Sequence, residues 1–187
     1  MATSAHCVYD TRKDAFYDNW IFIPSYWDGD NAWEGKAPYG IYAAKTFNAH
    51  DDFVVKEDHD YDYAFVNVYN GIKVTWEKVN GKWQWTRKND GRRSGATAGR
   101  LRCPPRRKYN LQEHIGLKCA FTAGASGGPL LYSYRSSTRT GYLIGVNSVA
   151  WDTDGNDRYD HVSSPYFNTD TYKVYKAAAN RWTGNMP

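Results

Sequence analysis

The sequence contains no long hydrophobic run, since no stretch approaches the roughly 20 apolar residues that a membrane-spanning helix needs. Its net charge of +4 at pH 7 is too small to argue for nucleic-acid binding. Only three cysteines occur among the 187 residues, and neither a CxxC nor an HExxH spacing is present. We therefore expect no metal site, no nucleic-acid partner and no membrane partner.

Helical periodicity is also rare, and short apolar or alternating runs separated by turn residues dominate the chain. Many short strands with frequent turns are typical of β-barrels and sandwiches. The clearest runs are 20–23, 39–43, 63–68, 72–76, 129–132 and 142–146. Only the C-terminal segment has a helical pattern, with Asp170 as the predicted N-cap, Trp182 near its end and Gly184 after it.

A serine lies in a glycine-rich loop, Gly124-Ala125-Ser126-Gly127-Gly128-Pro129, which an apolar pair follows directly. Glycines let a backbone turn tightly and bring its N–H groups close to a ligand. The loop can therefore present the Ser126 hydroxyl while neighbouring amides point at the same place. That arrangement predicts a nucleophile beside an oxyanion hole.

Two further segments supply the groups that a serine nucleophile needs. His6 lies in an Ala-His-Cys-Val context, and Asp62 directly precedes the apolar run 63–66. A serine hydroxyl is a poor nucleophile at neutral pH, so it needs a base to take its proton and a buried acid to orient that base. Asp58 and Asp60 compete for the place of the acid. Asp62 is preferred because an apolar strand follows it immediately.

These three segments resemble the His, Asp and Ser blocks of trypsin-like (chymotrypsin-fold) serine endopeptidases. They are most similar to those of the secreted glutamyl-endopeptidase type, in which the third block also lacks an acid before the serine. The resemblance runs from His6 to the C-terminal helix and implies hydrolysis of peptide bonds through an acyl-enzyme on Ser126. It further implies His6 as general base, Asp62 as orienting acid, the N–H groups of Gly124 and Ser126 as oxyanion hole, and no cofactor.

The resembled fold has two antiparallel six-stranded β-barrels and a C-terminal helix, so we expect an all-β chain. Residues 1–70 are predicted to form the N-terminal barrel, which carries His and Asp, and residues 71–187 the C-terminal barrel, which carries Ser and ends in the helix. In that fold two or three strands precede the histidine, whereas His6 stands near the start of this sequence. We therefore expect an N-terminally truncated chain with an incomplete first barrel.

The resemblance also implies location and partners. It indicates a secreted enzyme, although this chain carries no signal peptide before His6. The expected partner is a protein or peptide substrate, and the expected oligomeric state is a monomer.

Five positions are predicted to shape substrate binding, because they match the places where the family recognises the residue before the cleaved bond. Ala120 stands where enzymes that select arginine or lysine place an aspartate, so cleavage after basic residues is not expected. Asn147 stands where glutamyl endopeptidases place a histidine, which weighs against a glutamate preference. Thr122 and Asn147 offer hydrogen bonds to a polar side chain, Ser148 is expected beside Asp62, and Ala150 leaves the pocket mouth open.

The cysteines are interpreted through the same resemblance. Cys103 and Cys119 are predicted to form a disulfide, which would stabilise the fold by about 3 kcal/mol on a chain-entropy estimate. Cys7 normally pairs with a cysteine from an earlier strand, which leaves an odd thiol here. The stretch 81–113 shows no strand alternation and one-sided charge, and it receives no assignment.

Three other interpretations stay open at this point. A non-catalytic binding protein on the trypsin-like fold is the main alternative, although a pseudo-enzyme usually loses at least one of the three groups. A carbohydrate-binding module would explain the 8 Trp and 16 Tyr but not the three segments. The oxygen-rich segment 152–157 is similar to a calcium loop, but Gly155 has the wrong offset, and a surface turn is expected.

Overall fold

The computed structural model describes residues 1–24, 26, 37–89 and 111–187, and strands dominate these residues. The strands are β1 (Ala2–Thr3), β2 (Tyr9–Asp10), β3 (Ala15–Phe16), β4 (Ile21–Phe22), β5 (Tyr42–Ala49), β6 (Ala64–Val68), β7 (Ile72–Val79), β8 (Lys82–Asn89), β9 (His114–Lys118), β10 (Pro129–Arg135), β11 (Thr140–Val146), β12 (Val149–Trp151) and β13 (His161–Pro165). The α-helices are α1 (Asp51–Lys56) and α2 (Thr169–Ala179). Short 3-10 turns cover Ala5–Cys7 and His59–Tyr61.

The described residues form two compact units that interleave along the chain. The first unit contains residues 1–17, 47–66 and 111–180, and the second contains 18–24, 26, 37–46, 67–89 and 181–187. One sheet has the strand order β1-β6-β5-β4. The predicted division into barrels at residue 70 stays a prediction.

The first unit brings together the segments that carry the predicted site. β1 pairs antiparallel with β6, and Thr3 lies opposite Ala64. Because His6 follows Thr3 and Asp62 precedes Ala64, both segments lie at the same end of this strand pair. β13 lies between β12 and β9, while β10 pairs with β11. Two buried apolar clusters support these strands: Tyr63, Phe65, Val146 and Ala178 form one, and Leu117, Leu130 and Val162 the other.

The second unit is built around a long hairpin. β7 and β8 pair antiparallel through their whole length, and a core cluster of Ala37, Ile41, Ile72 and Val74 lies at the base of the hairpin. The connecting residues Asn80 and Gly81 have φ values of 51° and 79°. Two positive φ values in succession are what a two-residue type I′ turn requires, and Asn-Gly is the dipeptide that best adopts it.

The C-terminal helix is present, but its predicted bounds are wrong. Helix α2 covers Thr169–Ala179, and Asn168 is the N-cap because its side chain accepts from the backbone N–H groups of Asp170 and Thr171. The Thr171 hydroxyl accepts in turn from the Asn168 N–H, which completes a capping box. Asp170 therefore lies inside the first turn, where its charge favours the helix dipole. Among the described residues no helix is long and apolar enough to cross a membrane.

Candidate active site

Asp62 is a buried carboxylate that holds His6 in one orientation. Its side chain has 0% exposure, and it accepts from the His6 backbone N–H at 2.8 Å through Oδ1. Its Oδ2 lies 2.7 Å from His6 Nδ1 and 2.5 Å from the Ser148 hydroxyl, which donates to it. Three donors thus compensate the cost of burying this charge.

This contact fixes the tautomer of the imidazole. An ionised carboxylate only accepts hydrogen bonds, so His6 Nδ1 carries the proton that it donates to Asp62. In the neutral ring the lone pair is then on Nε2, at the other side of the imidazole. His6 can therefore accept a proton through Nε2, and its side chain is 35% exposed, which leaves the ring accessible.

The protonated form of His6 is favoured over the neutral form. Burial lowers the pKa, but hydrogen bonds and charge from Asp62 and Cys7 outweigh burial and raise the pKa of His6 to about 10. Once His6 accepts a proton, the resulting imidazolium is stabilised by the carboxylate beside it.

Ser126 lies in the exposed loop between β9 and β10, and the next residue brings this loop against the His6 segment. Gly127 approaches so closely that a Cβ atom added there would lie 2.1 Å from Thr3 Oγ1 and 3.2 Å from the Ser4 nitrogen. The φ of Gly127 is +75°, a conformation that favours glycine. No hydrogen bond joins Ser126 to His6 in the described part of the chain.

Asn147 and Ser148 connect the three segments. The Asn147 carbonyl accepts from the Ser4 hydroxyl at 2.6 Å and from the Gly127 N–H at 2.8 Å. Ser148, the next residue, donates to Asp62. One dipeptide therefore holds the serine loop, the residues before His6 and the carboxylate in a common position.

The two backbone donors proposed by sequence for the oxyanion hole are unoccupied. In the described part of the chain, neither the Gly124 nor the Ser126 N–H donates to another group, whereas Ala125 donates to the Thr122 carbonyl and Gly128 to the Ala125 carbonyl. Gly124 has a φ of +96°, and a Cβ atom added to it would meet nothing within 4 Å. Hydrogen bonds from other backbone N–H groups, those of Ala125 and Gly128, therefore hold the conformation of the loop.

The predicted substrate-binding residues do not share one environment. Ala120 and Thr122 are exposed in the serine loop, and Ala150 is half-buried in β12 opposite Val162. Asn147 is only 5% exposed, and its amide nitrogen donates to the Ala125 carbonyl at 3.1 Å. Its amide oxygen is buried and has no partner among the described residues. The role of these residues in substrate binding stays a prediction.

The competing carboxylates have other partners. Asp58 accepts from the Asp60 N–H and begins the turn His59–Tyr61. Asp60 accepts from the N–H groups of Gln112 and Glu113. The structure therefore brings Asp62, and neither of these two, into contact with His6.

The predicted disulfide remains untested. Cys103 lies outside the described residues, and no disulfide is formed within the described ranges, where Cys119 is a half-buried thiol. The segment 152–157 folds around Asp152, whose carboxylate accepts from the backbone N–H groups of Gly155, Asn156 and Asp157. Within the described ranges no three His, Cys, Asp or Glu side chains are grouped so that they could hold a metal ion.

Sequence reasoning missed one histidine near this site. His114 is 7% exposed at the start of β9, a strand that the sequence did not predict, and it contacts the turn that precedes Asp62. The available signal was the apolar alternation of Ile115 and Leu117, which the adjoining unassigned stretch obscured.

Replacing Ser148 by alanine is expected to lower the free energy of unfolding at pH 7 by about 1.5–3 kcal/mol. The change removes one of the three donors to a fully buried carboxylate, and hydrogen bonds to charged groups contribute about that much. Denaturant unfolding measures the effect, with Ser136→Ala in an exposed turn as control. Equal stability of the two variants would contradict the contact.

Solved structures that share this architecture are serine proteases, so the chain has the trypsin-like serine-protease fold. The predicted fold class, mostly β with a C-terminal helix, is thereby confirmed. No protein-family model matches the sequence, and no curated protein matches it.

Three solved structures illustrate the likeness. The protease Anisep from Arthrobacter nicotinovorans is 23% identical, with a TM-score of 0.61 over 96% of this chain and 83% of that one. The thermostable serine protease AL20 from an extremophilic microorganism is 18% identical, with a TM-score of 0.61 over 96% and 84%. A Glu endopeptidase is 14% identical, with a TM-score of 0.57 over 96% and 80%. At such identities the likeness establishes the fold, and activity has to be argued from the site.

Proposed function

We propose that this protein is a serine endopeptidase that hydrolyses peptide bonds through an acyl-enzyme on Ser126. His6 is the general base and then the general acid, Asp62 orients His6, and the N–H groups of Gly124 and Ser126 form the oxyanion hole. The substrate is a protein or peptide, the enzyme is secreted and monomeric, and no cofactor takes part.

The contact between His6 and Asp62 carries this proposal. A fully buried carboxylate that orients a partly exposed histidine is the arrangement that a Ser-His-Asp site requires, and pairs with strongly raised or lowered pKa values cluster at functional sites. The pair lies in the same unit as the Ser126 loop, and Asn147 and Ser148 bind both.

The reaction follows from the positions of the protons. Ser126 Oγ attacks the carbonyl carbon of the substrate while its proton passes to His6 Nε2. The tetrahedral intermediate collapses when His6 gives that proton to the leaving amine nitrogen, which breaks the C–N bond. Water then attacks the acyl-enzyme and gives a proton to His6. His6 passes this proton to Ser126 Oγ as the ester C–O bond breaks, so the acid product leaves and Ser126 is restored.

Negative charge develops on the substrate oxygen during both attacks. The unoccupied N–H groups of Gly124 and Ser126 are available to donate to it. Loss of one such donor reduces turnover by about 10²–10³-fold in a related site. Because the remaining amides already hold the loop, these donors need no rearrangement when the charge appears.

The environment of the specificity residues favours a substrate without a strong charge before the cleaved bond. Ala120 is exposed but carries no acid that would attract arginine or lysine. Asn147 is only 5% exposed and one of its two amide N–H groups donates to the Ala125 carbonyl, so little of this amide faces a glutamate side chain. Cleavage after small or uncharged residues is therefore the proposed preference.

Active-site labelling tests the proposal. We expect a tagged fluorophosphonate to modify the folded chain, and mass spectrometry of the digested adduct to place the tag on Ser126. The Ser126→Ala variant, which circular dichroism should show to be folded, should carry no tag. A folded wild-type chain that stays unlabelled between pH 7 and pH 10, or a tag on another serine, would overturn the proposal.

A further inference from the structure

A second hydrogen-bonded chain of buried side chains lies behind Asp62. His114 Nε2 lies 2.8 Å from the His59 carbonyl oxygen, and His114 Nδ1 lies 3.0 Å from the Ser163 hydroxyl. The same hydroxyl accepts from Trp151 Nε1 at 2.9 Å. The side chain of His114 is only 1% exposed, so water does not compete for these contacts.

Donors and acceptors in this chain have one consistent arrangement. A carbonyl oxygen only accepts, so His114 Nε2 carries a proton and donates it to His59. The indole of Trp151 only donates, so the Ser163 hydroxyl accepts a hydrogen bond from it and donates one to His114 Nδ1. Every polar group is satisfied when the ring is neutral. Burial, which lowers the pKa of His114, favours that form despite the opposing His59 carbonyl and the carboxylates of Asp60 and Asp62.

The hydrogen-bonded series of Trp151, Ser163 and His114 ends on the turn that leads into Asp62. The His59 carbonyl accepts both from His114 and, at 3.1 Å, from the Asp62 backbone N–H. The carboxylate of Asp60, inside this turn, accepts from the N–H groups of Gln112 and Glu113. Residues 112–114 therefore hold the backbone from 59 to 62 on more than one side.

The other end of this hydrogen-bonded series, Trp151, is also connected to Asp62, through β12 and Ser148. Trp151 closes β12, which begins one residue after Ser148, and Ser148 donates to the Asp62 carboxylate. A closed path thus runs from Asp62 through Ser148, β12 and Trp151 to Ser163, His114 and back. Because each hydrogen bond on this path is short and at least partly buried, a shift of His114 would move the Asp62 backbone relative to Ser148.

We propose that His114 is a positioning residue that, through His59 on one side and Ser163 on the other, keeps the Asp62 carboxylate aligned with both His6 and Ser148. Its consequence for catalysis rests on the proposed function, whereas its effect on His6 does not. Removing the donor at Nε2 would loosen the turn, so that Asp62 accepts less well from His6. The imidazolium of His6 would then lose stabilisation, and its pKa would fall.

Three variants distinguish loss of the hydrogen bonds of His114 from loss of the volume of its ring. His114→Leu removes both hydrogen bonds, whereas His114→Gln retains an N–H donor that can reach the His59 carbonyl. Ser163→Ala removes the hydroxyl that joins His114 Nδ1 to Trp151, and it leaves the hydrogen bond from His114 to His59 in place. Ser164→Ala is the matched control, because Ser164 is also buried in β13 but binds the Val146 N–H and the Pro165 carbonyl.

The first readout is the titration of His6 by NMR with labelled histidine, assigned with His6→Gln, and the second is the rate of fluorophosphonate labelling. We expect His114→Leu to lower the pKa of His6 toward its ordinary value and, at alkaline pH where His6 is neutral in both proteins, to slow labelling at least 10-fold. His114→Gln should keep both the pKa of His6 and the labelling rate close to their wild-type values. Ser163→Ala should give values between those of the wild type and those of His114→Leu. Ser164→Ala should lower the melting temperature without changing the titration of His6.

An unchanged His6 titration in folded His114→Leu, or a Gln variant no better than the Leu variant, would overturn the proposal. If His114→Leu fails to fold, Ser163→Ala decides, and a titration equal to that of Ser164→Ala would again overturn it. Because the titration requires no activity, a wild-type chain without labelling refutes the proposed function and leaves this test intact.

Discussion

Asp62→Asn is expected to reduce the rate at which Ser126 reacts with a fluorophosphonate at alkaline pH by about 10⁴-fold, the size of the loss in turnover when the acid of a Ser-His-Asp site becomes an amide. The wild-type carboxylate keeps the proton of His6 on Nδ1, 2.7 Å away. An asparagine can turn its NH₂ group toward Nδ1, which then becomes the acceptor, so the proton of the neutral ring moves to Nε2. The nitrogen that must take the Ser126 proton then has no lone pair.

The same variant is expected to change the pH dependence. His6 acts as a base only when neutral, and in the wild type its pKa is raised from 6.5 to about 10. Labelling of the wild type should therefore increase with pH through the alkaline range, reach half of its maximum near pH 10 and level off above it. In Asp62→Asn the much lower rate should level off closer to pH 7, because the carboxylate no longer stabilises the imidazolium.

Stability should follow the opposite course. The folded pKa of His6 is raised, so its charged form stabilises the fold fully below pH 6.5, and this stabilisation is lost as the pH rises through about 10. Reactivity and His6-linked stability therefore change in opposite directions between these values. Denaturant unfolding at several pH values, beside labelling rates at the same values, measures both.

A surface carboxylate is the matched control for this substitution. Asp52 is 30% exposed and pairs with Lys56 on α1, so Asp52→Asn removes a carboxylate without touching His6. We expect this variant to retain the wild-type labelling rate and pH profile. If Asp62→Asn behaved like Asp52→Asn, Asp62 would not be the group that orients His6.

Segments with a local signal were predicted well from sequence. The apolar run after Asp62 became β6, and those after Ser126 and before Asn147 became β10 and β11. In each case the hydrophobic pattern within one short segment is enough to predict a strand. His6 was selected from its Ala-His-Cys-Val context and Asp62 from the apolar run after it, both through the family resemblance; the structure places the two in contact, and their catalytic roles stay predictions.

Most features that depend on distant partners were not predicted, and the contact of Ser148 with Asp62 was predicted only because the family resemblance implied it. The Ser4 hydroxyl reaches the Asn147 carbonyl across 143 positions, and the resulting burial of Asn147 has no trace in its neighbours along the chain. His114 likewise acquires its role from His59 and Ser163, which lie 55 and 49 positions away. Helix α2 began earlier than predicted because Asn168 outcompetes Asp170 as the cap, a choice that backbone geometry decides.

Gly127→Ala is expected to lower the free energy of unfolding by about 2–5 kcal/mol and to slow labelling of Ser126 strongly. The φ of Gly127 is +75°, which costs an L-residue about 1–2 kcal/mol. The new methyl group would also lie 2.1 Å from Thr3 Oγ1, and overpacking of this kind costs about 1–3 kcal/mol. Relief of the clash requires the serine loop to move away from the segment that carries His6.

Gly155→Ala isolates the backbone contribution, because Gly155 has the same φ of +75° but a Cβ atom there would meet nothing within 4 Å. The excess loss of stability in Gly127→Ala over Gly155→Ala therefore measures the contact with Thr3. Adding Thr3→Ala should recover part of that excess and of the labelling rate, since neighbouring substitutions are coupled. Equal losses in the two glycine variants, with labelling unchanged, would mean that the serine loop does not depend on this contact for its place beside His6.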